Sequence, residues 1–140
     1  MQPEERAIAV QRWMAYAKSD LDLARVDAPK TVLPEALCFH AQQAVEKALK
    51  ALLLYCSTPI PRTHSIAFLL DLLQNEIVVP NYIQDAVILT DYAVETRYPG
   101  IYEPVTDEEY QEAIHLAEAI VSWVENITQG QSCSRLEDDR

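Results

Sequence analysis

LCFHAQQAVEKALKALLLY, residues 37–55, carries two different faces at one helical spacing. Leu37, Ala41, Ala44, Ala48 and Leu52 recur three and four residues apart, flanked by Val45, Leu49 and Tyr55. That pattern predicts a helix whose wide apolar stripe belongs in a core. Its alanines let a neighbouring helix approach closely. On the other side His40, Gln43, Lys47 and Lys50 follow the same spacing, and Glu46 precedes Lys50 by four residues, the orientation that favours a helical ion pair. The plain reading of these four side chains is a solvated polar face; the functional one is a groove that offers amide and ammonium donors to a ligand. The other segments read as helices laid against this one.

Upstream, Val10, Trp13, Met14, Ala17, Leu21 and Ala24 mark one face of a helix over about residues 4–25, with Arg12, Lys18, Asp20 and Asp22 on the remainder. Asp27, Ala28 and Pro29 stop it. Pro34 and Glu35 suit the first turn of the central helix, where a proline gives up no needed donor and an acid meets the positive end of the dipole. A link this short places the two helices side by side and antiparallel. Downstream, Pro59, Pro61 and Arg62-Thr63-His64-Ser65 break the pattern. Ile66, Leu69, Leu70 and Leu73 resume it as a short helix that Thr63 or Ser65 caps and Asn75 ends.

A fourth helix is expected over about residues 81–96, with Ile83, Ala86, Val87, Thr90, Ala93 and Val94 on one side and Tyr82, Leu89 and Tyr92 on another. With two apolar sides it serves both a core and a partner surface, and it is the first choice for a dimer face, followed by the outer face of the central helix. Arg97 continues the line of Ala86, Thr90 and Ala93, just before Tyr98-Pro99-Gly100 ends the helix. Thr106-Asp107-Glu108-Glu109 is a capping-box signature for a last helix with the stripe Ala113, Leu116, Ala117, Ile120, Val124 and Ile127, and Trp123 beside it.

The 140 residues fit one domain, expected over 1–128, and the aperiodic stretch 129–140 reads as a disordered tail. Two glycines, eight prolines between the periodic segments, and abundant Ala, Leu, Glu and Gln make the fold all-α. A net charge of -11 excludes general electrostatic capture of nucleic acid, which needs a basic surface. Three cysteines without a charged-then-apolar leader point to a reducing compartment and a cytoplasmic protein. No apolar run approaches the roughly 20 residues of a membrane span.

Chemistry has few places to sit. His64 beside Arg62 reads either as a helix-entry loop, the histidine satisfying a backbone group, or as a phosphate pocket in which imidazole moves protons and guanidinium clamps an anion. Arg97, on an inward line, needs an acceptor, because an unpartnered buried guanidinium costs several kcal/mol. Glu46 or Asp91 supplies one, or Arg97 faces a cleft with His40 or His64 and holds a phosphate. His115 lies among acids in the last helix and reads as a surface residue. The sequence has no metal-ligand spacing, glycine-rich phosphate loop or serine nucleophile motif, so no metal or cofactor is expected.

CFHAQQAVEKALKALL at 38–53, THSIAFLL at 63–70 and YAVETRYPG at 92–100, followed by the capped acidic last helix, resemble the HEPN family, the higher-eukaryote and prokaryote nucleotide-binding domains, from about Ala7 to Val124. The resemblance implies an up-and-down bundle of four to five helices. It also implies a homodimer, often paired with a minimal nucleotidyltransferase in a toxin-antitoxin system. Many members are metal-independent ribonucleases whose motif is an arginine followed four to six residues later by a histidine. Here residues 98–104 after Arg97 contain no histidine, and Arg62 stands only two residues before His64. The family's ribonuclease site therefore does not carry over. Three readings follow from the resemblance: a nucleotide phosphate held near Arg97 with His64, Lys47 or Lys50; an interaction module for a nucleotidyltransferase; and a ribonuclease with a rearranged site in which His40 or His64 stands in. The favoured one is a dimeric module, non-catalytic or weakly active, that works with a nucleotidyltransferase.

Overall fold

The computed structural model describes residues 1–95 and 104–130, residues 91–95 by their backbone alone. Five helices follow one another, α1 Pro3–Ala24, α2 Pro34–Tyr55, α3 Ile66–Gln74, α4 Asn81–Glu95 and α5 Asp107–Gly130, and there is no strand among the described residues. The all-α bundle expected from composition is what forms. Among the described residues no helix is long and apolar enough to cross a membrane.

Each start has a chemical reason. Pro3 and Pro34 stand in the first turns of α1 and α2, followed by Glu4, Glu5 and Glu35, so a fixed φ and favourable charges replace the side-chain caps these two ends lack. Of the two caps expected for α3, Ser65 provides it, its Oγ accepting from the Phe68 N–H at 3.2 Å. The capping box of α5 closes in both directions: the Glu109 N–H donates to Thr106 Oγ1 at 3.1 Å, and the Thr106 N–H to Glu109 Oε1 at 3.0 Å.

The end of α2 is a Schellman turn. Thr58 N–H donates to the Leu53 carbonyl and Ser57 N–H to the Leu54 carbonyl, both at 2.9 Å, and Ser57 takes φ 62° to allow it. That left-handed position favours glycine over a residue with a Cβ. Ser57→Gly is therefore expected to raise stability by about 0.5–1 kcal/mol after glycine's own entropy cost; an unchanged or lower urea midpoint would contradict the assignment.

α2 packs against each of the other four helices. Val45, Ala48, Leu49, Leu52 and Leu53 have no solvent exposure, and around them lie Val10, Met14 and Ala17 of α1, Ile66, Leu69 and Leu73 of α3, Ile83 and Val87 of α4, and Ala117, Ile120 and Val124 of α5. A smaller cluster of Cys38, Val105 and Ala113 beside Tyr110 fixes the approach to α5. Val105 N–H donates to Glu35 Oε1 at 2.7 Å, and Tyr110 O–H donates to the Ala24 carbonyl at 2.5 Å. Burial, with a smaller contribution from Cys38, raises the Tyr110 phenol above its ordinary pKa. α5 includes Gln129 and Gly130, the first two residues of the expected tail; the rest of that stretch lies outside the described residues.

Candidate functional site

The polar face of the central helix is not solvated. Lys50 and Gln42 are buried, Glu46 is only 3% exposed, and His40, Gln43 and Lys47 are half-buried. α1 covers much of this face with Trp13, Tyr16 and Asp20, which lie beside its own core stripe at three- and four-residue spacing. Because the helices run antiparallel, Asp20 meets α2 at His40 and Lys47, and Trp13 meets it further along at Lys50.

Two ionic groups form along this seam. In the first, the Lys47 ammonium donates to Asp20 Oδ2, His40 Nδ1 lies 3.2 Å from Asp20 Oδ1, and Lys47 Nζ sits 6.0 Å from the centre of the Tyr16 ring. In the second, the Lys50 ammonium donates to Glu46 Oε2 at 2.9 Å and lies 5.7 Å from the centre of the Trp13 ring, while His64 Nδ1 is 3.2 Å from both Glu46 oxygens. The Glu46 and Lys50 side chains are 4% and 8% exposed; that of His64 is 88% exposed. An ionised carboxylate only accepts, so Nδ1 is the donor to Glu46 and Nε2 is the other nitrogen of a solvent-exposed ring.

The electrostatic outcome is a seam closed on itself. Each ammonium already faces a carboxylate, so an incoming anion would have to displace Asp20 or Glu46. A second cleft, of about 260 Å³ between α1 and α5, has the same character. Lys18 pairs with Glu125 at one end, and at the other Arg25 pairs with Asp22 at 2.7 Å and Glu118 at 2.6 Å. Asp22 first, then Glu118, holds the Arg25 guanidinium above its ordinary pKa.

The structure thus joins Lys50 and His64 through Glu46, and His40 and Lys47 through Asp20. Arg62 is exposed on the loop before α3. His115 is exposed, its Nδ1 3.9 Å from Glu118 Oε1. Arg97 lies outside the described residues, as do the surroundings of Asp91. Reading the sequence alone left Asp20, Trp13 and Tyr16 out of the candidate site; their spacing beside the core stripe of α1 was the available signal. Among the described residues no group of three or more His, Cys, Asp or Glu is placed to hold a metal ion.

The model of a family described as HEPN domain matches residues 10–127. Among solved structures, an archaeal HEPN homologue, ST0689, is 31% identical, with 86% of this chain and 98% of that one covered at a TM-score of 0.69. TT1696 from Thermus thermophilus is 32% identical, with 84% and 96% covered and a TM-score of 0.66. A HEPN domain protein from Thermotoga maritima, TM0613, is 23% identical, with 91% and 99% covered and a TM-score of 0.57, and adds to the fold alone. No curated protein matches the chain.

Proposed function

The chain belongs to the HEPN domain family, and on that premise we propose that it is a binding module, a homodimer that works with a minimal nucleotidyltransferase as one half of a toxin-antitoxin pair. The observation that carries the choice of binding over catalysis is the closure of the α1–α2 seam. Lys47 and Lys50, the two ammonium groups of the seam, are held by Asp20 and Glu46. A phosphodiester substrate needs cationic groups ready to meet charge developing in its transition state. This seam offers none on its described part, so a nucleotide would rely on Arg97 with His64 and on Arg62, exposed two residues before it.

One observation favours a second reading, a metal-independent ribonuclease with an atypical site. Glu46 holds His64 by Nδ1 and leaves Nε2 on a solvent-exposed ring, the placement a general base would need. Incubation of the purified chain with a labelled tRNA and mRNA pool separates the two. The binding module leaves the pool intact and copurifies with a nucleotidyltransferase when the two are coexpressed. Cleavage that disappears in His64→Ala and in Arg97→Ala, with the fold retained, would replace it by the ribonuclease. Light scattering at micromolar concentration is expected to give twice the chain mass, and a monomer would remove the homodimer from the proposal.

A further inference from the structure

α4 has an outward face that the fold does not use. Ile83, Ala86, Val87 and Thr90 are buried against the bundle, while Tyr82, Ile88 and Leu89 on the other side are 63%, 59% and 48% exposed. Val78, in the connection leading into the helix, is 74% exposed. Large apolar side chains grouped on one exposed helix face mark an interaction surface more than isolated ones do.

α3 and α4, which pack together, carry charge of one sign. The stretch 66–95, which builds α3 and α4, contains Asp71, Glu76, Asp85, Asp91 and Glu95 and no Lys, Arg or His. Eight of the eleven Lys and Arg residues lie before it, within residues 1–65. Four of those eight meet acids within the molecule: Lys18 with Glu125, Arg25 with Asp22, Lys47 with Asp20 and Lys50 with Glu46. Asp85 sits exposed on the apolar face itself, between Tyr82 and Ile88 in sequence.

We propose that the outer face of α4 docks a basic amphipathic segment of a partner protein, apolar on the side that meets Tyr82, Ile88 and Leu89 and carrying Lys or Arg toward Asp85. A second copy of this chain is the poorer occupant. A two-fold contact sets the same patch against itself, which would bring Asp85 toward its own copy with no cation from either α3 or α4. Opposite potentials across the contact would instead speed encounter and fix register. The inference rests on the partner-binding reading above and names the chemistry of that partner's contact.

The test titrates the intact chain into two labelled helical peptides of equal length and apolar face, one built of Leu and Lys and the other of Leu and Glu, followed by fluorescence anisotropy. The Leu-Lys peptide is expected to bind saturably, to weaken as salt rises, and to lose at least tenfold in affinity with Ile88→Ser/Leu89→Ser, both exposed and so without consequence for folding. Glu112→Lys, an exposed charge change on α5, is expected to alter affinity less than threefold. Equal losses from the α4 and α5 variants, binding of both peptides alike, or no binding would each overturn the proposal. So would a homodimer that the α4 variant converts to monomer, since a second copy would then occupy the face. The same variant separates this proposal from the functional one. A coexpressed nucleotidyltransferase that binds the variant as well as the intact chain would defeat the α4 surface alone. Peptide binding localised to α4 with no copurifying nucleotidyltransferase would defeat that choice of partner alone.

Discussion

Glu46→Ala is expected to destabilise the domain by about 3–5 kcal/mol in urea or guanidinium unfolding, because it leaves the Lys50 ammonium buried without its counter-charge. Lys50 is 7% exposed, and the Trp13 ring on its other side is too weak a partner to replace a carboxylate. His64→Ala removes only the exposed end of the same group and is expected to cost under about 1 kcal/mol, which is the ordinary range for an exposed partner. The paired replacement Glu46→Leu/Lys50→Met should recover most of the loss, since removing both buried charges together also removes their desolvation cost. Recovery in the double variant is the decisive observation. If Glu46→Ala cost less than about 1 kcal/mol, Lys50 would have to reach water through its flexible stem, and the seam would be a surface feature rather than part of the core.

The fold was readable because its signals are local. Apolar spacing marked the faces of all five helices, and prolines, Ser65, Asn75 and the Thr106–Glu109 box marked most of their ends, each acting through backbone groups within a turn of itself. The seam was less readable because its partners are distant in sequence. Glu46 and Lys50 announce a pair at four residues, yet nothing local says that α1 will cover them, that His64 will return eighteen residues later to the same carboxylate, or that Asp20 will meet Lys47 from twenty-seven residues away. Helical periodicity tells which residues share a face but not how many neighbours that face receives. A central helix touched on several sides needs buried polar pairs wherever its polar positions fall under a neighbour. The outward apolar side of α4 was visible in Tyr82 and Leu89, to which the structure adds Ile88.

Leu52→Ala is expected to cost about 2–5 kcal/mol, the range for truncating a fully buried leucine that leaves a cavity. The upper part of that range is favoured by the packing. Leu49, Leu52 and Leu53 are all without exposure on a helix in contact with every other element, so the hole opens toward several rigid neighbours rather than toward solvent. Ala41, Ala44 and Ala48 are likewise fully buried. Small side chains there already bring adjacent backbones close, which leaves little room for the structure to collapse into the space. Leu89→Ala supplies the contrast: the same chemical change on the outward face of α4, at 48% exposure, is expected to lie within about 0.5 kcal/mol of the parent. Guanidinium unfolding of both variants reads the difference, with similar m-values confirming that the unfolded state is unchanged. A Leu52→Ala loss below about 1 kcal/mol, or a loss at Leu89 as large as that at Leu52, would mean that α2 is not the helix around which the other four are built.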